Sequence, residues 1–185
     1  MKASKWFLLC QIVYTILAAS SAIRAQTSIA ASASAQGAIK DACSLIASAD
    51  AQSVLQETVG PPKSENRSSG AGDGSSCQFR STVGTAFKAK SVLVEVHYSS
   101  SDLTGSTNGI AQNLKSAGFK NVHDVPGIGT AAVWASNSIL GRAQGELTVI
   151  YGKSVMLIVI INGIPNEADS LADARIIASK ALAKL

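Results

Sequence analysis

Residues 146–161 constrain the fold more than any other stretch of the chain. Glu146 to Tyr151 alternates, with Leu147, Val149 and Tyr151 on one side, the period of a half-buried strand. Gly152-Lys153 offers a tight connection, and Val155 to Ile161 is seven consecutive apolar residues. A bilayer span needs about 20 apolar residues, so a run this short reads as a central strand buried on both faces. Together the two segments predict a β-hairpin in the middle of a sheet.

Other segments share the period of two. Ser91 to Tyr98 places Val92, Val94, Val96 and Tyr98 on one face and Leu93, Glu95 and His97 on the other. Cys77 to Thr82 reads as a short strand, Phe119 to Val125 as extended, and Thr130 to Ala135 as a strand carrying Trp134. Helical spacing appears three times. A first helix is expected within Ile39 to Glu57, with an apolar cluster of Cys43, Leu45 and Ile46. Ser48 or Asp50 caps its second part, and Gly60-Pro61-Pro62 ends it. Ser106 to Ala117 carries Ile110 and Leu114 and stops at Gly118. In the last helix Leu171, Ala174, Ala178, Ala181, Leu182 and Leu185 line one side. Its start holds Glu167, Asp169 and Asp173 and its end Lys180 and Lys184, as the helix dipole favours. Lys63 to Ser76 is polar, rich in glycine and without a large apolar residue, so it is expected to be a flexible loop. The fold class that follows is α+β, a mostly antiparallel β-sheet packed with helices.

The N-terminus reads as a secretory signal peptide over residues 1–25: Lys2 and Lys5, an apolar run from Trp6 to Ala19, then small residues. Cleavage is expected after Ala25, with Ala22 as the alternative. Residues 26–38 are small and polar, a flexible tether, which leaves residues 39–185 as a single α+β domain. Losing Lys2, Lys5 and Arg24 takes the formal charge from +4 to +1. The basic balance therefore belongs to the leader and argues for no nucleic-acid partner. No membrane span is expected once the leader is removed. Cys10 leaves with it, and Cys43 and Cys77 remain, 34 residues apart. In an oxidising compartment such a pair is expected to bridge; the alternative is two separate buried thiols.

Reactive constellations are hard to find. Gly127-Ile128-Gly129-Thr130-Ala131-Ala132 matches a dinucleotide fingerprint as text. That mechanism needs the glycines to open a helix, and the residues after them read as strand. A turn explains them, and no cofactor is expected. His97 and His123 are the two histidines, too few for a recognisable metal-ligand spacing, so no metal is expected. A divalent-cation carrier using either of them is a further alternative. No G-x-S-x-G or S-x-x-K arrangement is present. The twelve carboxylates are scattered, so an acid/base pair could arise only through folding.

Three segments together carry a resemblance. Asp41-Ala42-Cys43-Ser44-Leu45-Ile46 precedes a helix ending at Val59-Gly60, and Cys77-Gln78-Phe79-Arg80 follows. Val125 to Trp134 (VPGIGTAAVW) then leads into a hairpin and an alanine-rich helix. The order resembles a broad group of small secreted bacterial proteins and lipoproteins of unknown function. The resemblance implies a PsbP-like α/β/α sandwich and a bridged cysteine pair. The chain departs from that pattern in lacking a lipidation cysteine and in having Thr130 where aspartate is usual. It thus implies a soluble form and carries no activity.

The functional expectation is a periplasmic or secreted, non-enzymatic binding or interaction module of the cell envelope. Its partner would be an unknown envelope protein or a small ligand, met through the Glu95/His97 face or the loop at 63–76. The alternative is a secreted hydrolase whose acid/base pair is assembled only in the fold, with no catalytic residue identifiable beforehand.

Overall fold

The computed structural model describes residues 40–69, 72–85, 88–139 and 141–185. The leader and the tether lie outside the described residues. Seven strands form one sheet in the order β1-β2-β3-β7-β6-β5-β4, and every neighbouring pair is antiparallel. They are β1 (Lys63–Ser69), β2 (Gly72–Arg80), β3 (Ser91–Tyr98), β4 (Lys120–Asp124), β5 (Ala131–Ile139), β6 (Arg142–Tyr151) and β7 (Val155–Asn162). The helices are α1 (Ala42–Leu45), α2 (Ser48–Leu55), α3 (Thr107–Ser116) and α4 (Glu167–Leu182). One face of the sheet is covered by α1, α2 and α4, and α3 packs on the other over β4 and β5. The α+β class is therefore as expected.

The main core lies under α1, α2 and α4. Val92, Val94 and Val96 of β3, Leu147 and Val149 of β6, and Leu157, Val159 and Ile161 of β7 meet Ala174, Ile177, Ala178 and Ala181 of α4 there. Ile177 belongs to the buried stripe of α4, whereas Leu171, Leu182 and Leu185 are only partly buried at its margin. A smaller core under α3 joins Leu114, Val133 and Ala135. Asn166 caps α4, its side-chain oxygen accepting from the Ala168 and Asp169 amides at 2.9 and 3.4 Å.

Three expectations need correction. The stretch 63–76 is not a flexible loop: most of it is the β1–β2 hairpin. Its side chains offer little apolar surface, so its order comes from neighbours. The Ala42 amide donates to Ser75 Oγ at 2.6 Å, Ser75 Oγ donates to the Lys40 carbonyl at 3.2 Å, and Ser64 Oγ donates to Asp41 Oδ1 at 3.0 Å. Cys77 is bridged to Cys43 with a Cα–Cα separation of 4.9 Å, within the usual range for a disulfide.

The single helix expected over 39–57 is two short ones. Ile46 is extended (φ −129°, ψ 135°), and that break buries Leu45 and Ile46 together. Asp50 then accepts from the Ala47 amide at 3.0 Å at the start of α2. Asp50 also receives Lys180 Nζ of α4 at 2.6 Å. That hydrogen bond, opposed by partial burial, holds the Asp50 carboxyl below its ordinary range. A depressed acid pKa stabilises the fold above the unfolded value and loses that contribution as pH falls through the folded one. Lys180→Ala is therefore expected to cost at most about 1 kcal/mol, because the lysine is half exposed. Urea midpoints should show the cost at neutral pH and its disappearance in acid.

The third correction concerns β7. It is central, but Met156, Ile158 and Ile160 are only half-buried while Leu157, Val159 and Ile161 are fully buried. The apolar run was expected to be covered on both faces. The α3 layer sits over β4 and β5 instead, leaving the far face of β7 partly in solvent.

The turn at Gly127–Gly129 joins β4 to β5, and both glycines have positive φ (79° and 62°). A Cβ on Gly129 would fall 2.4 Å from Val149 Cγ1 and 2.5 Å from the Ile150 carbonyl oxygen, so only glycine lets this turn press on β6. The strand that follows leaves the fingerprint without its helix, as the residues implied.

Candidate functional site

Glu95 and His97 are positioned by β3, whose alternation sends them away from the main core. Glu95 pairs in register with Ile158 of β7, which pairs with Thr148 of β6; one step along, Leu93, Ile160 and Glu146 form the next row. The fold thus brings Glu95 and His97 of β3, Ile158 and Ile160 of β7, and Glu146 and Thr148 of β6 to one face. His97 Nε2 lies 3.3 Å from Glu95 Oε2, and Thr148 Oγ1 donates to Glu146 Oε1 at 3.1 Å. The face is an apolar seam of Leu93, Met156, Ile158 and Ile160, all half-buried, between acidic side chains on the strands to either side.

Glu146 carries the electrostatic signature of this face. Burial raises its carboxyl pKa above the ordinary 4.5, the Thr148 hydroxyl works against that, and the Glu95 charge adds to the rise. A carboxyl whose folded pKa is raised weakens the fold as pH climbs through that range and stays unfavourable above it. Glu146→Gln is therefore expected to stabilise the protein at neutral pH. The gain should vanish well below 4.5, where Glu146 is protonated, and denaturant midpoints at both pH values check it.

Glu146 was not among the expected site residues. Its signal was its place on the polar side of the alternation that carries Leu147 and Val149; what joins it to Glu95 is strand order, with β7 lying between. The structure does not bring the two histidines together. His123 sits on the edge strand β4, its Nδ1 2.9 Å from the Asn121 carbonyl oxygen, four strands from β3. Among the described residues no group of three or more His, Cys, Asp or Glu could hold a metal ion.

A second concavity lies between the start of α4 and the β4–β5 edge. Its centre is Glu167, whose Oε1 accepts from Trp134 Nε1 at 3.1 Å and whose Oε2 accepts from Asn121 Nδ2 at 2.9 Å. Asn121 Nδ2 also reaches Ser136 Oγ at 3.2 Å. Asn121 has φ +48° and stands where the β4–β5 register shifts between Lys120 and His123. That irregularity turns its carboxamide toward α4. Trp134 is fully buried and lies on Gly145, where a Cβ would come within 2.1 Å of Trp134 Cη2.

No protein-family model matches the chain, and no curated protein sequence matches it. Among solved structures it is similar to the extracellular domain of PknH from Mycobacterium tuberculosis. The two share 13% sequence identity at a TM-score of 0.50, over 75% of this chain and 93% of that one. At that identity the likeness is one of fold: a helix-packed α/β architecture of the kind found in that extracellular domain. A second match, a GTP-binding regulator from Thermotoga maritima, has 13% identity and a TM-score of 0.35 over 75% of this chain and 89% of that one.

Proposed function

We propose that this chain is an exported, non-enzymatic binding module of the cell envelope, engaging an envelope protein through the partly open side of β3, β7 and β6. The observation that carries the reading is the half-buried apolar seam on β7, flanked by Glu95 and Glu146. A central strand with seven apolar residues in a row is ordinarily covered on both sides; here one side is left partly open. Apolar surface rimmed by charge is the makeup of a protein-interaction face. A periplasmic or secreted location is supported by the leader and by the Cys43–Cys77 bridge, and the PknH domain of similar fold is itself extracellular. The PsbP-like sandwich implied by the motifs is compatible with helices on both faces of the sheet. The reading needs no cofactor, metal or nucleic acid, and no helix among the described residues is long and apolar enough to cross a membrane.

Chemical cross-linking of tagged mature protein in its own envelope tests this. A partner captured by the wild type should be lost with Ile160→Lys, which puts a charge in the seam without touching the main core. Capture unaffected by Ile160→Lys contradicts the proposed surface.

One observation favours a second reading. Glu146, raised by burial and by the Glu95 charge, is the kind of carboxyl that serves as a general acid beside an ionised partner. A hydrolase of this type would show turnover of a glycoside or ester that Glu95→Gln and Glu146→Gln each abolish while the fold is kept.

A further inference from the structure

We infer that the cleft between the start of α4 and the β4–β5 edge binds a neutral, polyhydroxylated small molecule, a mono- or disaccharide. The cleft measures about 720 Å³, within the range of small-molecule sites. None of Glu95, His97, Glu146 or Ile158 lines it; the cleft meets the Glu146 side of β6 only at Gln144, two residues away on that strand.

Its chemistry selects the ligand. The uncharged polar lining is made of carboxamides and hydroxyls, among them Asn121, Asn137, Gln144, Ser136 and Ser138. A carboxamide offers donors and an acceptor, and a hydroxyl both donates and accepts. That matches a molecule whose own polar groups are hydroxyls. Asn137 Oδ1 is buried with no hydrogen-bond partner among the described residues, an acceptor that a ligand hydroxyl can satisfy. Ile164 and Pro165 add apolar surface suited to the C–H faces of a sugar ring.

Charge argues against an anion. Among the described lining residues Glu167 and Lys120 are the ionic groups, one of each sign, and Lys120 is exposed at the rim. Glu167 is held in place by Trp134 and Asn121 and retains lone pairs for further donors. A second carboxylate or a phosphate brought beside it would be repelled.

Saturation-transfer NMR on the mature protein tests this with maltose, chitobiose and trehalose as neutral probes and glucuronate as the charged one. At least one neutral disaccharide should receive saturation from the protein, and glucuronate should bind more weakly. Ser138→Trp fills the cleft from an exposed position, and Gln144→Leu removes a carboxamide without adding bulk. With an unchanged Tm, each should weaken binding ten-fold or more, while Ile176→Ser on the exposed side of α4, away from the cleft lining, leaves it unaltered. The inference is overturned by transfer to none of the neutral probes at millimolar concentration. It is equally overturned by glucuronate binding in preference, or by binding that survives both cleft variants.

Discussion

Replacing Cys43 and Cys77 together by serine is expected to lower stability by about 3–4 kcal/mol, read as the shift in urea midpoint at constant slope. The bridge closes a loop of 34 residues, and the loss of unfolded-chain entropy on closing a loop of that length is of this size. What lies inside the loop makes this bridge matter more than its entropy alone. Residues 43–77 hold α2, β1 and most of β2, and β1 is an edge strand of polar residues paired on one side only. With few large apolar side chains of its own, the hairpin is ordered through Ser75, Ser64 and the disulfide. The reduced protein should therefore lose protection from amide exchange first across 63–76, while β6, β7 and α4 remain protected. Uniform loss over the whole sheet would contradict that assignment.

Trp134→Ala is expected to cost about 3–5 kcal/mol, the range for removing a large, fully buried aromatic residue. Two consequences add up at this position. The indole fills space left by Gly145, so its removal opens a cavity against the Gly145 backbone. Its N–H also holds Glu167 Oε1 at 3.1 Å, so α4 loses one of the hydrogen bonds that tie it to β4 and β5. Trp134→Phe separates the effects by keeping most of the ring and dropping the hydrogen bond, at about 1–2 kcal/mol. Gly145→Ala tests the same contact from the other side: a Cβ 2.1 Å from Trp134 Cη2 cannot be accommodated without moving the ring, at about 1–3 kcal/mol. Thermal unfolding of the three variants should rank alanine at 134 as the most damaging.

Where an element's order is written in its own residues, it could be read in advance. Ser91 to Tyr98 is β3 to the residue, because strict alternation of valines leaves one arrangement. The last helix is equally plain from its acidic start, basic end and alanine stripe, although Ile177 was not counted on its buried side. The stretches 63–76 and 136–145 were not legible as strands. Both are polar or small and owe their extended form to the strands beside them. The open side of β7 was hidden for a related reason: an unbroken apolar run reports that a strand is central, not whether a helix covers its second face.

The site residues divide in the same way. Glu95 and His97 were visible as a pair because they stand two apart on one strand. Glu146 joins them only because β7 lies between β3 and β6. The tie of Glu167 to Trp134 and Asn121 spans 33 and 46 residues of sequence. It depends on a left-handed backbone at Asn121 that no local pattern announces.

The central claim is that the half-buried side of β3, β7 and β6 is where this protein meets its partner. The most direct test places a photoreactive residue at Ile158 in the seam, or at Ile176 on the exposed side of α4 (47% exposed), and irradiates cells expressing each form. One reproducible cross-linked species is expected from position 158 and background alone from position 176. Equal labelling from both positions, or labelling from 176 alone, would contradict it.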